Sequence, residues 1–163
     1  MTAFVGASLT ETYSAAQLTG ANSGKVPGIG DIYVSHDNLT YRFVRYRAGA
    51  GVIAGVAGNA VGFYAPGGVS TGVSNEVTSD VSDTAGNLAG VLVAAPAADD
   101  YCWIQTRGIV TLTPALVSGA DGNALTLSST TDGTLKVVGA VTDAGGAVSI
   151  DASAKIVYLN CPT

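Results

Sequence analysis

Apolar residues recur along this chain with a period of two rather than 3.6, in short runs separated by turn-forming residues. Tyr41–Arg47 places Tyr41, Phe43, Arg45 and Arg47 on one face of an extended strand, with Arg42, Val44 and Tyr46 on the other. Asp31–Ser35 reads as the strand before it. The HDNLT between them carries Asp37-Asn38, whose side chains bond to nearby backbone and tolerate left-handed geometry. A hairpin is predicted. Residues 90–108 repeat the arrangement with an apolar run at Gly90–Ala94 and a small-residue turn at Pro96–Asp100. Tyr101, Trp103 and Gln105 then alternate with Cys102, Ile104 and Thr106.

Around these two blocks the chain divides into an N-terminal arm (1–27), a β-hairpin module (28–66), a connector (67–87) and a second β-rich module (88–163). Residues 28–163 also fit one compact domain. The arm has neither alternation nor a helical period, and Phe4, Val5, Leu9, Tyr13 and Leu18 are too sparse to form a core. Such a segment is expected to order only where a partner surface offsets about 1–2 kcal/mol per residue of backbone entropy. Gly49–Tyr64 continues the first module through Val52, Ile53, Val56, Val61 and Phe63, with glycines that predict bends or bulges. The connector is rich in Ser, Thr, Asn and Asp, with a candidate strand at Val69–Val73. In the second module Asp121, Asp132 and Asp143 fall eleven residues apart beside glycines, the strand-plus-turn spacing of a meander. Its expected strands are Ala124–Leu127, Leu135–Val141, Val148–Ile150 and Lys155–Leu159. The fold class is all-β, in small barrel- or sandwich-like modules with an extended N-terminal arm.

Composition sharpens this reading. Charged residues make up 12%, against roughly 25% for an ordinary domain, and 22 glycines join abundant small and β-branched residues. Few charges suit a β-protein whose surface is largely covered by other protein. A formal net charge of −5 leaves no dense basic footprint for nucleic acid. Arg45 and Arg47 share a face, read either as solvated or as a salt-bridging contact to an acidic partner. Met1–Thr10 lacks a secretory pattern, and the apolar stretches are broken well short of a spanning helix, so no membrane association and cytoplasmic maturation are expected. Cys102 and Cys161 then read as reduced, buried small hydrophobes rather than a disulfide.

Candidate chemistry is sparse. His36 is the only histidine and sits in the hairpin turn, which excludes His-rich metal sites. The Asp-Gly pairs lack the calcium-loop pattern, and two lone cysteines cannot build a zinc site by themselves. No G-x-S-x-G elbow, GxGxxG or Walker A sequence is present, and Asp99-Asp100 lies in a turn. No enzyme, metal or cofactor is expected. Trp103, the single tryptophan, stands beside Tyr101 either as core or as an interface anchor.

Two segments resemble a known family. Gly90–Gly108, with its A-P-A-A-D-D link and Y-C-W-I-Q-T-R-G strand, is similar to a block of the capsid decoration (cement) proteins of tailed bacteriophages. Gly30–Val44, G-D-I-Y-V-S-H-D-N-L-T-Y-R-F-V, resembles the hairpin of the same proteins, and Lys155–Leu159 their closing strand. The resemblance implies a virion protein on the outer capsid surface, made in the bacterial host cytoplasm. Its partners would be the major capsid protein and copies of itself, as a homotrimer bridging capsid subunits. Candidate contact residues are Phe4, Val5, Leu9, Tyr13, Leu18, Arg45, Arg47, Tyr101, Trp103 and Arg107. The alternative is a receptor- or carbohydrate-binding virion module, with Tyr and Trp stacking on sugars. A small glycan hydrolase is a third class, for which the residues are missing.

Overall fold

The computed structural model describes residues 8–20, 23–65, 73–140 and 143–163. Ten strands form one sheet: β1 (Ile32–Val34), β2 (Thr40–Tyr46), β3 (Ala60–Tyr64), β4 (Glu76–Thr78), β5 (Thr84–Leu92), β6 (Tyr101–Thr111), β7 (Ala124–Leu127), β8 (Leu135–Val137), β9 (Ala147–Asp151) and β10 (Ile156–Asn160). The all-β expectation holds. Strand order is β1-β2-β4-β3-β5-β6-β10-β9-β7-β8, and a further β2–β6 ladder closes β2, β4, β3, β5 and β6 into a five-stranded barrel. Closure removes the open edges that isolated hairpins would leave.

The predicted hairpin and the predicted 90–108 pair are the two halves of that barrel wall. β2 lies antiparallel to β6 with Phe43 opposite Trp103 and Arg45 opposite Tyr101. Alternation sorts their side chains as the sequence pattern requires. Val44, Tyr46, Cys102 and Ile104 point inward and meet Val61, Phe63, Val77, Ala89 and Leu92 in the barrel core. Tyr41, Phe43, Tyr101 and Trp103 point outward. Modules 28–66 and 88–163 therefore share one sheet.

β6 runs eleven residues because it serves two structures. Its first half closes the barrel, and from Arg107 onward it pairs with β10. A bulge near Thr40 and the positive φ of Gly108 (100°) mark the change, and a Cβ on Gly108 would collide with Leu39. The sheet β6-β10-β9-β7-β8 folds back on the barrel exterior. Leu125, Leu127, Leu135, Val157 and Leu159 pack there on Ala60, Leu88 and Val91, forming a second core.

Three expectations need correction. The second module is not a simple meander: β9 pairs with β7 rather than β8, because the chain after β8 crosses back along β7. Thr126 Oγ1 donates to the Ala144 carbonyl at 2.8 Å along that crossing. Within Gly49–Tyr64, only Ala60–Tyr64 is strand: residues 48–59 form a loop, with Val52 at a φ of 53°. The stretch expected as a loose connector supplies β4, the start of β5 and the clamp for that loop. Buried Asp80 accepts from the Gly51 amide (2.8 Å) and the Ser82 amide (3.0 Å), while Asp83 accepts from the Ala50 amide (2.6 Å). Its polar composition organises a buried turn, not a solvated link. Residues 69–72 of the candidate strand Val69–Val73 lie outside the described residues.

Candidate interaction surfaces

Of the arm residues singled out in the sequence, Phe4 and Val5 lie outside the described residues. The other three converge on the chain's own barrel. Tyr13 exchanges backbone hydrogen bonds with Tyr101 (2.8 and 2.7 Å), filling the β6 edge beyond the reach of β5. Its ring meets Phe43 edge-on at 5.8 Å, and Leu9, Leu18 and Val26 pack round the same cluster. The short helix α1 (Ala15–Thr19) follows, opened by a capping box between Ser14 and Gln17. The expectation that these anchors are too sparse for a core is overturned. They are sparse because the barrel supplies the rest: Phe43 lies 5.2 Å from Trp103 and 6.3 Å from Tyr101.

Tyr101 and Trp103 are consequently core. Trp103 is 1% exposed and Tyr101 8%, both beneath the arm. Their outward parity reads as a surface in the sequence, and the arm converts it into an interior.

Arg45 and Arg47 hold an internal ion-pair cluster. Arg47 Nη1 lies 2.8 Å from Asp99 Oδ1, and Arg45 reaches both Glu76 (3.4 Å) and Asp99 (3.2 Å). The guanidinium groups also sit over the Tyr101 and Tyr64 rings, at 5.9 and 5.3 Å. The acidic partner surface considered for these arginines belongs to the same chain, on β4 and in the turn before β6. Neighbouring Arg42 donates to Asn75 Oδ1 at 2.6 Å, and burial pulls its pKa below the ordinary arginine value.

Arg107 is different. It is exposed, and its guanidinium has no ion pair among the described residues. It stands beside a groove lined by Val34, Asp37, Leu39, Ile109 and Tyr158. Register extends this groove into a broad face. Val34, Thr40, Arg107 and Asn160 lie side by side across β1, β2, β6 and β10. Ile109, Tyr158, Val148 and Ala124 form the next row across β6, β10, β9 and β7. Ile109 is 57% exposed, Val34 59% and Tyr158 39%. The solvent side of an antiparallel sheet normally carries polar residues, and these two rows hold one charge.

That face went unremarked in the sequence, although a signal was present. KIVYL and AVSI are apolar at both parities or small throughout, so burying Val157 and Leu159 leaves Ile156 and Tyr158 facing outward.

The remaining chemistry-bearing groups are dispersed. His36 projects from the hairpin turn beside Asp37 (3.2 Å), both strongly exposed. Among the described residues no cluster of three His, Cys, Asp or Glu side chains could hold a metal ion. Cys102 and Cys161 are free thiols in separate cores, and burial pushes each up to about 12. No described helix is long and apolar enough to cross a membrane.

Compared with known proteins, the chain matches no family model, no curated protein and no solved structure.

Proposed function

We propose that this chain is a structural virion protein that binds the outer surface of a tailed-phage capsid and stabilises the expanded head by bridging capsid subunits. The observation that carries the reading is the meeting of two segments distant in sequence. Gly30–Val44 and Gly90–Gly108, the blocks that resemble decoration proteins, lie together as β1-β2 and β5-β6, paired through the Phe43–Trp103 register. A shared local pattern gains weight when its two parts build one surface.

Physical considerations support the same reading. A clamp on a shell under tension needs a rigid body and area to bind with, and it stabilises the assembled state by binding that state alone. The closed barrel with its arm-covered aromatic cluster supplies that rigidity. The adhesin alternative needs Tyr and Trp rings free to stack on sugars, and Trp103 and Tyr101 are only 1% and 8% exposed.

Cryo-microscopy of the phage particle that encodes this chain tests the proposal. Density for the ten-stranded fold on the outside of the head, at a fixed ratio to capsid subunits, supports it. Density at the tail tip, or none on the particle, overturns it.

A further inference from the structure

The two exposed rows combine large apolar side chains with a near absence of charge. The chain carries twelve carboxylates and seven basic side chains, so copies repel one another in most orientations. Across Val34–Thr40–Arg107–Asn160 and Ile109–Tyr158–Val148–Ala124 there is no carboxylate. The one charge is Arg107, without an ion pair among the described residues. On the opposite wall of the same groove stands Asp37, with a side chain 67% exposed and the exposed His36 at 3.2 Å.

We propose that this face is the contact between two copies of this chain, packed sheet to sheet about a two-fold axis. The Ile109–Tyr158–Val148 row of one copy lies on that of the other, and Arg107 of each copy meets Asp37 of its partner. A two-fold contact must be self-complementary, and a face bearing its own cation and anion beside an uncharged apolar centre meets that condition. The charge pair fixes register, and the apolar rows supply the driving force.

Its size sets the strength. Eight residues, each covering about 4.8 Å across the sheet and about 6.6 Å along its strand, give a footprint of about 250 Å² per copy. That is smaller than a stable specific interface, so pairing is weak and concentration-dependent. The inference stands apart from the capsid reading, since it concerns the isolated chain. The two-fold pair is also a different assembly from the homotrimer implied by the family resemblance, and particle mass separates them.

Sedimentation velocity over a concentration series on the full chain tests it. The expected result is a reversible monomer–dimer equilibrium. Tyr158→Glu should weaken it at least ten-fold while leaving the melting temperature and circular dichroism of the monomer unchanged. Arg107→Asp and Asp37→Arg should each weaken it, and the double exchange should restore it. A monomer at every concentration up to the millimolar range overturns the inference, as does a three-copy assembly. An oligomer indifferent to Tyr158→Glu, or one that the double exchange fails to restore, overturns it too.

Discussion

Phe43 and Trp103 face each other across the β2–β6 ladder with ring centroids 5.2 Å apart and planes at 60°. This contact ties the first hairpin to the second strand pair, and Tyr13 covers it from the arm. Edge-on aromatic pairs add about 0.5–1.5 kcal/mol to the area they bury. Trp103→Ala is therefore expected to cost about 3–5 kcal/mol. Urea unfolding measures it, and a loss under about 1 kcal/mol would remove the cluster from the centre of the fold.

Residues 8–20 of the arm are part of the folded body. Tyr13→Ala deletes a buried ring and uncovers Phe43 and Tyr101, so it should cost roughly 2–4 kcal/mol. Deleting residues 1–20 should do more, because the main-chain pairing with Tyr101 is lost as well. A truncated chain that unfolds at the same urea concentration as the full chain would contradict this.

Asp80 holds the loop after β2. Burial works against its charge, but hydrogen bonds from Ser82 and Gly51 outweigh it and keep the carboxyl below the ordinary Asp value. A depressed folded pKa contributes stability that is complete above the unfolded value, about pH 4, and is lost as pH falls through the folded one. Asp80→Ala strands the Gly51 and Ser82 amides and should cost about 1–3 kcal/mol at neutral pH. Melting of the variant against pH should also lose part of the acid-side slope below about pH 4. An unchanged slope would remove Asp80 from the acid response.

Cys102 and Cys161 should resist thiol reagents in the native state. Both are buried with pKa values pushed up to about 12, so little thiolate forms near neutral pH. Ellman's reagent should report both thiols in denaturant and neither without it, within minutes. Rapid native labelling of Cys102 would mean that the barrel opens readily.

Much of this architecture is legible in the chain, where local pattern and tertiary role agree. Alternation in Tyr41–Arg47 and Tyr101–Thr106 assigned faces that the barrel then used, with Val44 and Ile104 inside and Phe43 and Trp103 outside. Ala124–Leu127 is a strand at its expected bounds. Barrel closure was not legible, because it depends on the pairing of β2 with β6 across about sixty intervening residues and on the parallel β2–β4 contact. The arm misled for the same reason: burial of Tyr13 depends on Phe43, which no window around Tyr13 contains. Arg45 and Arg47 were found as a pair, but their partners Glu76 and Asp99 lie far along the chain. The outer face required knowing which parity of β10 the second core consumes.

Attachment to the head is the central claim, and add-back to heads lacking this protein tests it most directly. Purified chain is mixed with expanded, DNA-filled heads and with unexpanded shells, and each is pelleted across a range of protein concentrations. Saturable binding to expanded heads at a fixed ratio to capsid subunits is predicted, with weak binding to unexpanded shells and a higher temperature for release of DNA. Expanded heads that bind no more than background, and release DNA at the same temperature with or without the protein, would contradict it.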